Sequence, residues 1–174
     1  YYKKILLNYY KEWFMEKYID TPDGKIAVDE NERIFFPEGI YAFENLRNFY
    51  ILKMDNDNVF HLLQSEERPE IAFIIINPYL FKKDYVLNVR EEDLKYIKIL
   101  SEEDAEKNLA VFTIVTINEN SMTANLLGPI IINLKEKIGK QALALNEEYS
   151  TKHDILSEIE NNKEIREALG VSTG

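Results

Sequence analysis

The side chains best suited to chemistry in this sequence are two histidines, His61 and His153, and three carboxylate runs, Glu66-Glu67, Glu91-Glu92-Asp93 and Glu102-Glu103-Asp104. A histidine pair can hold zinc or move a proton near neutral pH. Two carboxylates can divide acid and base roles if one is desolvated and its pKa raised. Neither pattern is complete here. There is no cysteine, which removes disulfides, thiolate metal sites and cysteine nucleophiles. The histidines lack HExxH spacing, so no zinc site is indicated. His61 lies inside Val59-Phe60-His61-Leu62-Leu63-Gln64 and reads as an ordinary strand residue. His153 precedes a helical stretch and reads as a cap or surface residue. The carboxylate runs fall in loops and at helix starts, where solvation and capping account for them. The sequence has no G-x-S-x-G elbow, P-loop or G-x-G-x-x-G, and its 6 glycines are too dispersed to cradle a phosphate. No cofactor is expected.

The elements that would position any site are mostly strands. Thr21-Pro22-Asp23-Gly24 is a turn signal, followed by strands over 25–29 and 33–36, and Pro37-Glu38-Gly39 stops the second. One helical turn is expected over 43–48. Strands over 49–54 and 59–64 flank Asp55-Asn56-Asp57-Asn58, a hairpin loop. The continuous apolar run 71–76 predicts a strand buried on both faces. A further strand is expected over 85–89, a short helix over 91–97, and a second helical turn opened by Ser101 as N-cap. The strongest strand runs over 110–117. After a turn at Glu119-Asn120-Ser121, the stretch Thr123-Ala124-Asn125-Leu126-Leu127-Gly128-Pro129-Ile130-Ile131-Ile132-Asn133 reads as a strand, a Gly-Pro bend and a buried strand. A basic turn and a third strand over 141–145 follow. The pattern 154–169 predicts a helix capped by Asp154 and stopped by Gly170, weakened in its middle by Asn161-Asn162.

Eight or more short strands with few long helices point to an all-β protein, a strongly curved antiparallel sheet or β-barrel-like domain with short helices and terminal helical extensions. The organisation expected is an amphipathic N-terminal extension over 1–14, a β domain over 15–153 and a helical tail over 154–174. In the extension Tyr2, Ile5, Leu6, Tyr9, Tyr10, Trp13 and Phe14 share a helical face. Lys11-Glu12-Trp13, if encoded AAG-GAG-TGG, would look like a ribosome-binding site just upstream of Met15. On that reading residues 1–14 are a translated leader, and N-terminal sequencing of the natural protein decides it.

The chain of 174 residues carries 21 Lys and Arg against 31 Asp and Glu, a formal net charge of −10. That argues against nucleic acid as a direct ligand, because neutralising phosphates needs a basic surplus. It is compatible with a basic protein partner, or with solubility alone. No apolar run approaches the roughly 20 residues of a membrane helix. The 11 Tyr and 9 Phe suit half-buried strands and interfaces, and Tyr79-Leu80-Phe81 with Tyr85 reads either as core or as an aromatic interface rim.

Four blocks, in order and at matching spacing from Met15 to His153, resemble the FliW family of flagellar assembly factors. They are Ile34-Phe35-Phe36-Pro37-Glu38-Gly39-Ile40 with Phe43; Leu63-Gln64-Ser65 with Ala72-Phe73-Ile74 and Asn77-Pro78-Tyr79-Leu80-Phe81; Ala110-Val111-Phe112-Thr113-Ile114-Val115-Thr116 leading into the 123–133 stretch; and Gly139-Lys140-Gln141 with Tyr149-Ser150-Thr151-Lys152-His153. The chain departs where the family often has Pro-Gly at Tyr41-Ala42 and usually has Ala at Gly128. The resemblance implies a compact β-barrel-like fold, no catalysis and a cytoplasmic protein that binds flagellin. It also implies binding to the RNA-binding regulator CsrA, in lineages that have it. In that family the free protein restrains CsrA, which represses flagellin translation; newly made flagellin captures the protein and frees CsrA. Asp84, Tyr85, Val86 and Asn88, with Asn125, Leu127, Lys140 and Gln141, combine matched positions with polar groups beside apolar ones and are the expected partner contacts. The alternatives are a small β-barrel hydrolase or isomerase using paired carboxylates, and a structural oligomer built through the terminal helices.

Overall fold

The computed structural model describes residues 17–54, 59–163 and 166. The amphipathic stretch 1–14, the loop tip 55–58 and most of the tail beyond Lys163 lie outside them.

The chain opens with a hairpin of β1 (Lys17–Thr21) and β2 (Gly24–Val28), paired antiparallel from Lys17↔Val28 to Thr21↔Gly24. It is a separate two-stranded sheet. The main sheet holds β3 (Ile34–Phe35), β4 (Asn48–Lys53), β5 (Phe60–Ser65), β6 (Ala72–Ile76), β7 (Leu109–Asn118), β8 (Ser121–Ala124), β9 (Ile130–Asn133), β10 (Ile138–Gln141) and β11 (His153–Asp154). Its order is β11-β8-β7-β6-β5-β4-β3-β10-β9, and a further pairing joins β9 to β7. The strands β7, β6, β5, β4, β3, β10 and β9 therefore close into a barrel, which removes their free edges. All these pairings are antiparallel except β3 with β10, where Ile138 pairs with Phe35.

One long strand makes the closure. Val115 of β7 pairs with Ile74 of β6 and with Ala124 of β8, so β6 and β8 flank it on opposite edges. Asn125 N still donates to the Ile114 carbonyl at 2.9 Å. The chain then bulges through 126–129 and resumes along β7 as β9, with Phe112 opposite Ile130. The Gly-Pro bend expected at 128–129 is this bulge.

Three packed clusters explain the sequence pattern. Inside the barrel lie Phe36, Phe49, Leu63, Ile75, Ile130 and Ile132. Outside β6 and β7 lies a second core that includes Ile76, Phe81, Tyr85, Leu126, Tyr149 and Ile155. A third holds Ile97, Ile99, Ile131 and Ala142. Strands β6 and β9 thus bury side chains on both faces, which is why their sequences are continuously apolar.

Two short helices, α1 (Glu91–Tyr96) and α2 (Glu102–Asn108), lie before β7, and α2 is capped by Ser101, whose hydroxyl accepts from Asp104 N at 3.1 Å. A third, α3 (Ile155–Asn161), follows β11 and buries Ile155 and Ile159. Asp154 caps it as expected, accepting from Ser157 N at 3.2 Å. The single helix expected over 154–169 is interrupted at Asn162, whose backbone is extended at φ −132. Asparagine's competing side-chain bonds make it a poor helix interior residue, and two in a row suffice.

Two strand expectations are corrected. Residues 85–89 form no strand. Their alternation reflects Tyr85 and Leu87 packing onto the outer core while the backbone bonds singly to other segments. The third strand of the 123–145 region is β10, at Ile138–Gln141. Residues 142–145 are extended without a ladder, Ala142 N donating to the Pro129 carbonyl and Ala144 N to that of Leu127, both at 2.9 Å. The turn expected over 43–48 is two tight turns, with Phe43 N bonding the Ile40 carbonyl and Leu46 N that of Phe43.

Candidate partner-binding surface

Glu67, Asp93, Asp104 and His153 have structural partners. Glu67 accepts from Arg47 N at 3.1 Å and Asn48 N at 2.9 Å. Burial alone would raise its pKa, but these bonds and those from its own backbone N–H and the Asn48 amide outweigh it and hold the carboxyl below the ordinary glutamate value. Asp93, only 2% exposed, faces Arg90 at 3.2 Å and Lys140 at 3.5 Å. Asp104 accepts from Leu100 N and from the Asn108 amide. His153 Nε2 lies 2.9 Å from Glu158 Oε1. His61 sits in β5, its ring steeply inclined to that of Phe112 with centroids 6.0 Å apart. Among the described residues there is no group of three or more His, Asp or Glu that could hold a metal ion. Gln64, at the end of β5, donates to the carbonyls of Ser65, Pro69 and Ile71 and closes the turn before β6.

What remains at the surface is a coat of loop segments over the outer core. Tyr149 organises it. Its hydroxyl accepts from Val86 N at 2.8 Å and donates to the Val86 carbonyl at 3.2 Å. Its ring stacks on Tyr85 at 5.4 Å, and Tyr79 meets Tyr85 edge-on at 5.0 Å. Burial first, then Tyr149 and Tyr79, push the Tyr85 phenol far above its ordinary pKa, so it stays neutral. Leu145 N donates to the Asn88 carbonyl at 2.7 Å, and Ala144 N reaches Leu127. Segments 84–88, 142–149 and 125–129 are thereby tied side by side.

This arrangement brings most of the sequence-derived contacts together, in different roles. Val86 is 59% exposed, and Asp84 and Asn88 are also exposed, with Asp84 paired to Lys82 at 2.8 Å. Tyr85 is buried and acts beneath the surface. Asn125 and Gln141 meet at Gly128: Gly128 N donates to Asn125 Oδ1 at 2.9 Å, and Gln141 Nε2 donates to the Gly128 carbonyl at 3.2 Å. A Cβ at Gly128 would lie 2.9 Å from both side-chain amide nitrogens, so an alanine there needs a different amide arrangement. Leu127 is half-buried. Lys140 is placed elsewhere, on the β10–α1 side. Its ammonium bonds Glu38 at 2.6 Å and lies 4.5 Å from the centre of the Tyr96 ring. Burial works against that charge, but Glu38 and Asp93 outweigh it and hold its pKa above the ordinary lysine value.

The sequence reading missed the exposed residues that complete the surface. Leu143 and Leu145 are each 49% exposed, alternating with buried Ala142 and Ala144. The small-large alternation Ala-Leu-Ala-Leu was the available signal. Tyr41 is 55% exposed, and its backbone N donates to Gln141 Oε1 at 3.0 Å. Large apolar side chains held out on bonded backbone are the usual material of protein interfaces.

Fold and surface together define a small closed β-barrel protein wrapped in a coat of loops that presents apolar side chains. The model of the FliW protein family matches residues 17–155. The chain is 40% identical over 144 residues to the flagellar assembly factor FliW of Alkaliphilus metalliredigens, covering 81% of this chain and 86% of that one. It is 43% identical over 141 residues to that of Caldanaerobacter subterraneus subsp. tengcongensis, covering 79% and 91%. A crystal structure of the flagellar assembly factor FliW superposes with a TM-score of 0.72 at 31% identity, covering 80% of this chain and 96% of the other. The chain belongs to the FliW family.

Proposed function

We propose that this chain is a non-catalytic flagellar assembly factor that binds flagellin and, in exchange, a CsrA-type RNA-binding regulator. Release of that regulator would relieve repression of flagellin translation. It acts in the cytoplasm and needs no cofactor. The observation that carries this reading is the exposed set Val86, Leu143 and Leu145 on segments pinned to a rigid barrel, in a chain whose relatives bear the name of flagellar assembly factors. The acidic balance suits a basic regulator, since complementary charge speeds encounter.

The test is a pull-down of flagellin from the same organism with the folded chain, followed by competition with the regulator. The double variant Val86→Asp, Leu145→Asp is expected to keep its thermal midpoint and lose flagellin capture. Folded wild-type protein that captures no flagellin would overturn the proposal. Among the described residues no helix is long and apolar enough to cross a membrane.

A further inference from the structure

The connection between α1 and α2 leaves a surface cavity of about 400 Å³. Leu94, Ile99, Leu100 and Ala105 line its apolar part, and Glu91 and Glu102 stand among its polar residues. Ile99 belongs to the core beneath, so one wall is fixed by packing. Leu100 is 72% exposed, the highest value among the exposed large apolar side chains of the described residues. It is held there by backbone bonding. Lys98 takes a left-handed φ of 63, and Leu100 N donates to Asp104 Oδ2 at 3.2 Å. A leucine whose backbone is bonded so that its side chain stands in water beside an apolar hollow gains no burial there.

The cations nearest the hollow are matched to carboxylates, and Lys135 acts on Asp104. Lys95, Lys98 and Lys107 are each neutralised, by Glu91, Glu136 and Glu103. Glu102, in the lining, and Glu106, one turn further along α2, have no ion-pair partner among the described residues. The groove therefore offers apolar contact together with carboxylates unmatched by cations. We propose that it docks a short segment of a partner protein in which a bulky aliphatic side chain is flanked by Lys or Arg. The aliphatic group fills the space between Leu94 and Leu100, and the flanking cations meet Glu102 and Glu106. The groove is built on different elements from the Val86–Leu145 surface, so its occupancy is independent of flagellin capture there.

The test uses the full chain labelled with ¹⁵N and two short synthetic peptides. One carries leucines flanked by lysines, and the other has glutamate in place of each lysine. The lysine peptide is expected to shift the amides of Leu94, Leu100 and Ala105, with binding that weakens as salt is raised. Leu100→Asp, a change at an exposed position that leaves the thermal midpoint in place, is expected to weaken that binding about tenfold or more. Glu102→Lys is expected to weaken it about threefold. Equal binding of both peptides, shifts confined to other elements, or no shifts at saturating lysine peptide would each overturn the proposal.

Discussion

Phe49 and Tyr149 are both buried rings, but they are held in place by different means. Phe49 sits in a strand paired on both edges, with Ile34 on one side and Ser65 on the other, and its ring meets Phe36 edge-on at 5.2 Å. Tyr149 sits in a segment with no ladder, held by stacking on Tyr85 and by one hydroxyl that serves both the N–H and the carbonyl of Val86. The barrel interior rests on many redundant contacts. The coat rests on a few polar bonds, each holding a whole segment. The surface proposed for partners is carried by the second kind of structure.

The largest expected effect lies inside the barrel. Phe49→Ala should lower stability by about 3–5 kcal/mol, because a filled interior cannot collapse around the lost ring. Denaturant unfolding should show one cooperative transition shifted as a whole. Tyr149→Phe keeps the ring and removes only the hydroxyl, leaving Val86 N without its acceptor, at a cost of about 1–3 kcal/mol. Hydrogen exchange should speed up over 84–88 and stay unchanged in β4 to β7. Equal acceleration in the barrel strands would abolish the distinction drawn between the two regions.

Gly128→Ala should cost about 1–2 kcal/mol by displacing the Asn125 and Gln141 amides. In a Gln141→Ala background the cost should shrink, a coupling that a double-mutant cycle measures. Ala42→Gly should have the opposite sign. Ala42 adopts a left-handed φ of 69, where an L side chain is strained by about 1 kcal/mol, and glycine relieves it. Thermal unfolding would show a small rise in midpoint. It would also sharpen the comparison, since this strained turn adjoins Tyr41 at the edge of the coat.

The smallest effect is electrostatic. Burial, and secondarily Lys53, hold the His61 pKa below 6.5. The unfolded chain therefore binds the extra proton first. Stability should fall as pH drops from about 6.5 towards the lower folded value. His61→Leu should flatten that slope in stability measured against pH, whereas an unchanged slope would assign the effect to another group.

The same division governs how much was legible in the sequence. The strands β4 to β9 were readable because alternation and continuous apolar runs report directly on whether one or both faces are covered. Strand number and short turns pointed to a strongly curved sheet or a barrel, and the pairing of β9 with β7 makes it the barrel. The coat was misread where its residues imitate strands. Tyr85, Leu87 and Val89 alternate as a half-buried strand would, but they pack onto the outside of the barrel, while the residues between them bond the coat, Val86 to the Tyr149 hydroxyl and the Asn88 carbonyl to Leu145 N. Of the expected contacts, Val86, Asp84 and Asn88 are exposed, while Tyr85 and Gln141 are buried beneath the surface and Lys140 lies on the β10–α1 side. Family resemblance marked positions, and only three-dimensional packing separated the groups that face outward from those that hold them. Tyr149 stood in a matched block, but nothing local to it reveals that its hydroxyl reaches back to Val86.

The parallel pairing of Ile138 with Phe35 has a consequence for the order in which the chain matures during synthesis. Strands β3 to β6 can meander into a sheet as soon as they leave the ribosome, but its first strand waits for β10. Lys140, beside that seam, bonds Glu38 from 102 positions later in the chain. Closing so long a loop is entropically costly and slow compared with forming hairpins. A nascent chain halted before β10 would display the raw edge of β3 and an unfilled interior. Such an intermediate is sticky, and it would persist until β10 emerged.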